Sequence, residues 1–385
     1  MELYPAPGSK GFGRVLQKEE FFASKAARPG GPSGADDQCD AGAAMRLTKA
    51  QTLVSSFVSQ GTPYRSLVVY HGVGSGKTCA AVQVIEGVAG SSDKKPLVVA
   101  PPLVKDVYAN TFFGPKYQGP ASQDATEERL RELSRRQCTG TAHVPPEARA
   151  GPGKPPAMTL GEVVEKAQAS AMRSVRFEGH EAFRSDMART VLEAARRVGL
   201  AYRETESEDA VVAKAVSALE KEEVRKEAAL MFAESMDGRL LVLDEAHRSV
   251  PHDARSRSSS IELLLFLLRS CSTLKLVVMS ATPFYDKPAE VVAIARLVAA
   301  NEGLPDLRES DVFDSDRITL LDGWRERVRS VLLGRVSFLG GSGGSEFPER
   351  LPGPHLLCPA RDRDPADPES MRVPLPRAYA AWREA

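Results

Sequence analysis

The sequence predicts an α/β fold, a parallel sheet with helices on its faces, built around one glycine-rich loop. Three observations carry that prediction. Residues 66–88 read as strand, glycine loop, Lys-Thr and helix. Two further apolar runs, 239–243 and 274–279, end in Asp244-Glu245-Ala246-His247 and Ser280-Ala281-Thr282-Pro283. Around them strand and helix patterns alternate, which is the rhythm of a parallel sheet covered by helices.

Ser66 to Tyr70 is a short Leu/Val-rich run that reads as a buried strand. Gly72, Gly74 and Gly76 follow, then Lys77 and Thr78, and then Ala80, Ala81, Val84, Ile85 and Val88 at helical spacing. Glycines let backbone N–H groups converge on phosphate oxygens, and a helix N-terminus adds its positive dipole end. The expected nucleotide contacts are therefore Gly72, Gly74, Ser75, Gly76, Lys77 and Thr78, with ATP and Mg²⁺ as cofactors. Lys77 would reach the β- and γ-phosphates and Thr78 would hold Mg²⁺. His71 stands where the pattern Gly-x-x-x-x-Gly-Lys-Thr has its first glycine. A glycine turn before a chance Lys-Thr would look similar; the strand before it and the helix after it favour a phosphate cradle.

Composition narrows the class. The chain has 385 residues, 42% hydrophobic and 26% charged, enough for a sizeable core. Its 51 Lys and Arg balance 51 Asp and Glu, so any basic surface for nucleic acid must be local. The five cysteines, Cys39, Cys79, Cys138, Cys271 and Cys358, form no C-x-x-C pair. Their scatter predicts a reducing compartment and argues against a disulfide framework or a zinc site. The N-terminus lacks the apolar segment of a signal peptide, and the longest oily run, Ile261 to Leu268, is too short to span a bilayer. A soluble protein without a membrane partner is expected.

In chain order, residues 1–42 read as a weakly ordered Pro/Gly-rich extension that docks one short helix. A helix with Gln51 near its start follows at 45–58, then the glycine-loop unit. Pro96 to Ala100 is a second strand and Leu103 to Phe113 a helix. From about 114 to 237 strand-like runs almost disappear. Asp124 to Arg136 looks helical, with Asp124 and Glu127 spaced as a capping box. Phe183, Met187 and Val191 stripe another helix that Gly199 would end; Val212, Val216 and Leu219 mark a third. The charged run Glu220 to Glu227 reads as a solvated helix face. The whole stretch is expected to be a helical insertion that could be cut out at 124–234 without loss of ATP binding. The sheet then resumes, and 43–340 is expected to form one domain. Residues 341–385 have the Gly/Ser/Pro composition of a linker and tail.

The chemistry is read from the strand ends. A parallel sheet places its functional groups beyond the carboxyl ends of its strands. Asp244 is expected to hold Mg²⁺, Glu245 to activate the attacking water, and His247 to relay the state of the γ-phosphate. Acidic strand ends are common alone; paired with the glycine loop they become specific. Ser280, Ala281 and Thr282 would couple hydrolysis to movement by hydrogen bonding to the Asp-Glu-Ala-His segment. A metabolic kinase would have no use for that segment.

Gly-Ser-Gly-Lys-Thr, Asp-Glu-Ala-His and Ser-Ala-Thr, in this order and each after a buried strand, resemble a superfamily 2 DEAH-type helicase. More closely, the chain resembles the helicase-like ATPases of large nucleocytoplasmic DNA viruses, of the poxvirus early-transcription-factor type. Thr62 to His71 running into the loop, Ser280 to Pro288, Gly334 to Phe338 and Phe347-Pro348 carry this likeness, which extends from about Tyr4 onward. It implies a RecA-like sheet, a role in viral transcription, and a host-cytoplasm or virion setting. It further implies that Gln51 contacts adenine and that Pro101, Pro102 and Lys105 lie along a DNA or RNA backbone. Such helicases close ATP between two RecA-like domains, the second supplying an arginine finger from a Gln-x-x-Gly-Arg-x-x-Arg motif. No such motif occurs here, so a single RecA-like domain is expected, with the second absent and supplied in trans or by a downstream segment. The alternative is a non-catalytic nucleotide-binding module that uses ATP as a conformational ligand.

Overall fold

A computed structural model describes residues 4–18, 21, 47–72, 74–90, 92–114, 121–149, 156–200, 207–249, 254–280, 290–315 and 319–339. The expected linker and tail at 341–385 lie outside them, as do Ala281 and Thr282.

The first helix, α1 (Lys49–Phe57), starts at a capping box in which Thr48 and Gln51 each serve the other's backbone N–H. Strand β1 (Ser66–His71) leads into the glycine loop and α2 (Lys77–Val88). Then come β2 (Leu97–Val99) and α3 (Val104–Phe112). The long intervening stretch holds α4 (Glu127–Arg135), α5 (Leu160–Arg173), β3 (Arg176–Glu178), α6 (His180–Arg197), α7 (Glu208–Ala218) and α8 (Glu222–Met236). The chain continues through β4 (Leu240–Asp244), α9 (Ala254–Ser270), β5 (Lys275–Ser280), α10 (Glu290–Glu302), α11 (Trp324–Leu332) and β6 (Val336–Leu339).

Among the described residues, six strands pair in parallel in the order β3-β2-β4-β5-β1-β6. This is the sheet of a single RecA-like α/β domain. Its central strands are apolar on both faces, as a sheet covered on both sides requires. On β4, Leu240 and Val242 join a cluster with α1, α2 and α3, while Leu241 and Leu243 join a second cluster with α6 to α10. Three layers result, and β5 is seated between β4 and β1.

The stretch 114–237 differs from a removable insertion. Its second part belongs to the core: β3 pairs with β2, and Phe183, Met187, Val191, Val212, Val224 and Phe232 share one buried cluster with Leu241, Leu243 and α9. Each such side chain gains about 1.5–3 kcal/mol from burial, so excising residues 124–234 would remove α6, α7 and most of α8 from the cluster that covers one face of the sheet. Only α4, α5 and their loops form a satellite with its own small core around Leu130, Leu133 and Val163. The three residues of β3, half-exposed at the sheet edge, are too short for a periodic signal. The cap of α4 also differs: Thr126, not Asp124, accepts from Arg129 N–H. Gly199 ends α6 with φ +83°, as its position predicts. The charged run opens α8 with its acids and bases paired outward and Val224 buried beneath them.

The cysteine reading is corrected as well. Cys79 and Cys138 form a disulfide across 59 residues. Scattered spacing concealed the pair because the turn after α4 folds back onto α2. With this bond, cysteine usage no longer points to a reducing compartment. No helix among the described residues is long and apolar enough to cross a membrane.

The N-terminal residues dock through side chains. A 3₁₀ turn at Phe12–Gln17 buries Val15, and Phe12 meets Phe57 and Tyr64 edge-on. Gly334, at φ +77°, leaves room for the Phe12 ring, whose Cε1 lies 2.8 Å from where a Cβ would sit. Buried Lys275 donates to the carbonyls of Ser59, Thr62 and Tyr64 and so fixes the α1–β1 connection to β5.

Candidate functional site

The glycine loop closes on itself at the end of β1. Gly74 and Gly76 adopt φ of +80° and +78°, where side chains are strained. A Cβ on Gly76 would also lie 2.4 Å from Gln51 Nε2. Ser75 Oγ donates to Gly72 O at 2.7 Å. Lys77 Nζ donates to the carbonyls of His71 and Gly72 at 2.9 and 3.2 Å. Those carbonyl oxygens occupy the ammonium where phosphate oxygens would compete for it. Thr78 sits half-buried on the first turn of α2, beside the N–H groups at the helix start.

His71 fits the pattern without being a glycine because its ring is turned toward β6. There Nε2 shares a 2.8 Å hydrogen bond with Ser337 Oγ. Burial, aided by the Lys77 charge, lowers its pKa to about 4, so the imidazole is neutral at pH 7.

Asp244 ends β4 almost fully buried. Its Oδ2 accepts from Tyr108 OH at 3.1 Å and its Oδ1 from Glu245 N–H at 3.0 Å. Burial pushes its carboxyl above the usual range, the Glu245 carboxylate pushes the same way, and the Tyr108 hydrogen bond and Lys77 oppose them. His180 Nε2, at the start of α6, lies 3.0 Å from Asp244 O. Among the described residues, Glu245 is the non-glycine residue with positive φ, at +51°. Such strain, on the order of 1–3 kcal/mol, is commonly held at functional sites. His247 Nδ1 is 3.4 Å from both Glu245 Oε2 and Ser280 Oγ.

The expected groups thus converge at one sheet edge. Register aligns Ser280 with Tyr70 and Asp244 with Met279, so β5 carries Ser280 between the phosphate-loop strand and the Asp-Glu strand. Gln51, for which the resemblance implies an adenine contact, is buried beside the loop, with Oε1 accepting from Thr48 N–H and Nε2 donating to Gly76 O at 3.1 Å. Pro102 and Lys105 are exposed beyond β2 and Pro101 is half-exposed, next to an exposed Leu103. Sequence reasoning missed Tyr108 and His180, whose contacts to Asp244 span 136 and 64 residues; no local spacing announces them.

The donor set fits a magnesium nucleotide. One lysine lies on carbonyl oxygens it could exchange for phosphate, a threonine hydroxyl stands on the helix start, and a buried carboxylate is held by two hydrogen bonds.

A glycine loop running into a helix, an Asp-Glu strand and a Ser-bearing strand side by side form an arrangement that fits a helicase-like ATPase. The comparisons with known proteins agree. The chain is similar to a protein of Acanthamoeba polyphaga mimivirus named as an ATP-dependent RNA helicase, at 22% identity over 317 residues, 80% of this chain and 24% of that one. It is also similar to a protein of Frog virus 3 named as a helicase, at 25% identity over 293 residues, 75% of this chain and 23% of that one. A second mimivirus protein named as an ATP-dependent RNA helicase matches 55 residues at 34% identity, 14% of this chain and 9% of that one. The chain therefore resembles viral helicase-like ATPases over most of its length, at low identity. It spans about a quarter of the length of the first two relatives. No protein-family profile matches it.

Proposed function

We propose that the chain is the ATP-binding half of a helicase or translocase acting on DNA or RNA. The observation that carries this reading is the convergence of Lys77, Asp244, Glu245, His247 and Ser280 at the ends of three neighbouring strands. In this reading the loop N–H groups and Lys77 bind the β- and γ-phosphates. Thr78 and Asp244 hold Mg²⁺, which would neutralise phosphate charge when bound. Tyr108 and the Glu245 amide keep the Asp244 carboxylate aimed. Glu245 orients and deprotonates the attacking water. His247 and Ser280, with Ala281 and Thr282 following, carry the change at the γ-phosphate to the rest of the sheet. Gln51 supports the loop through Gly76. Pro101, Pro102 and Lys105 meet the nucleic-acid backbone, and a second RecA-like domain, in trans or downstream, closes the site. The names of the mimivirus relatives favour RNA, and the resemblance to ATPases of the poxvirus early-transcription-factor type supports a viral transcription setting.

The second reading, a nucleotide-binding module that never hydrolyses, predicts a different response to nucleic acid. Mg·ATP affinity measured with and without single-stranded RNA and DNA separates the two. The helicase reading expects a change of several-fold with at least one strand type. Identical affinity in all three conditions would favour the non-catalytic module.

A further inference from the structure

We propose that Cys79 and Cys138 form a thiol–disulfide exchange site through which a small thiol of the glutathione class fastens and releases residues 134–143 from the phosphate-loop helix. Cys79 is the third residue of α2, directly after Lys77 and Thr78, and is buried; Cys138 lies half-buried in the turn after α4. Their Cα atoms are 6.1 Å apart, inside the span of about 4.4–6.8 Å that a disulfide bridges.

Several contacts hold the same segment against its neighbours. The Gln83 side-chain amide donates to Cys138 O, and His143 Nε2 is 2.7 Å from Glu86 Oε1, both partners of 138–143 being on α2. The Gln137 side chain takes the Gly114 N–H at 2.7 Å and returns a hydrogen bond to Gly114 O at 3.2 Å. The bond is thus the covalent member of a preformed seam, so opening it leaves the two sulfurs close enough to close again.

An open cleft of about 500 Å³ adjoins the seam, lined by Glu86, Arg135 and Cys138 among others. That volume is within the range of about 300–1,000 Å³ for small-molecule clefts. Access is from the Cys138 side, and the Arg135 guanidinium suits a thiol that carries carboxylates. A thiolate from the cleft attacks Cys138 Sγ; a new S–S bond forms there as the protein bond breaks. The electron pair leaves on Cys79 Sγ, on the first turn of α2, and takes up a proton there to give the thiol. A second thiolate then attacks the mixed disulfide and releases Cys138. In sum, the protein disulfide and two small thiols give two protein thiols and one small disulfide, and the small disulfide is the oxidant in reverse. Cys271, the free cysteine among the described residues, does not compete: burial raises its pKa to about 12.

Because Cys79 adjoins Lys77 and Thr78, the state of the bond reaches the phosphate loop, a consequence that rests on the reading above. The test of the exchange site uses no nucleotide. The full chain is equilibrated in glutathione/glutathione-disulfide buffers of stepped ratio, its disulfides are mapped by mass spectrometry, and amide hydrogen exchange is followed over 134–143. A linked Cys79–Cys138 peptide should rise and fall reversibly with the ratio, and exchange over 134–143 should be slower by at least several-fold in the linked form. Cys138→Ser should hold the faster rate at every ratio. Failure of the linkage to form, its failure to reverse, or equal exchange in both forms would overturn the proposal. Mg·ATP affinity of the two forms, expected to differ several-fold, is measured separately. Absence of ATP binding in both forms would count against the nucleotide reading and leave the exchange result standing.

Discussion

Joined to a second RecA-like domain, as a partner or a fused segment, the chain should release phosphate from ATP about 10³–10⁵-fold faster than it does alone. That factor is the contribution of an arginine finger in P-loop enzymes. The Glu245 side chain, at the edge where the γ-phosphate would sit, keeps 31% of its surface exposed. Water there keeps the dielectric high and weakens the electrostatic stabilisation that hydrolysis depends on. A covering domain would exclude that water and bring an arginine to the γ-phosphate together. Steady-state phosphate release with and without single-stranded RNA or DNA checks this. Turnover near 1 s⁻¹ by residues 1–385 alone, within the usual enzyme range of about 1–10³ s⁻¹, would mean the site closes without a second domain, for instance across a homodimer.

In that two-domain form, Glu245→Gln should lower turnover by about 10²–10⁴-fold, the usual worth of a positioned general base. Mg·ATP affinity should stay within a few-fold, because Gln keeps the shape and the backbone N–H that holds Asp244 Oδ1. The left-handed backbone at Glu245 is the reason to expect so selective a loss. Glu245 lies beside His247, and backbone strain of this kind, about 1–3 kcal/mol, is commonly held at functional sites. Survival of turnover in the variant would assign the water to another group.

The sheet was legible because its central strands are buried on both faces. β1, β2, β4 and β5 each read as an unbroken apolar run, and each ends within a residue or two of where the pattern stops. The edges were not. β3 has three residues with Arg176 exposed, and β6 leaves Val336 and Phe338 exposed, so neither shows the two-sided burial that announces a strand. Helices α6 and α7 were visible as stripes, but a stripe does not say which surface it covers; that α6 to α8 cover the sheet is a tertiary fact.

The same divide runs through the site. Lys77, Thr78, Asp244, Glu245 and Ser280 stand at strand ends or a helix start, positions that local pattern marks. Tyr108, His180 and the Cys79–Cys138 bond depend on segments that meet only after folding. Gln51 lies between these cases: its place near the start of α1 was readable, its bond to Gly76 was not.

Mg·ATP binding by wild type and Lys77→Ala, followed with a fluorescent ATP analogue, tests the glycine loop as phosphate site most directly. Lys77 is the cation of the loop, and its hydrogen bonds to His71 O and Gly72 O are the ones phosphate oxygens would replace. A charge-assisted hydrogen bond of this kind contributes roughly 1.5–3 kcal/mol, or about 10- to 150-fold in affinity. Saturable one-to-one binding by the wild type and a loss of that size in the variant are expected. Equal binding by the two proteins would contradict the assignment of the glycine loop as the phosphate site.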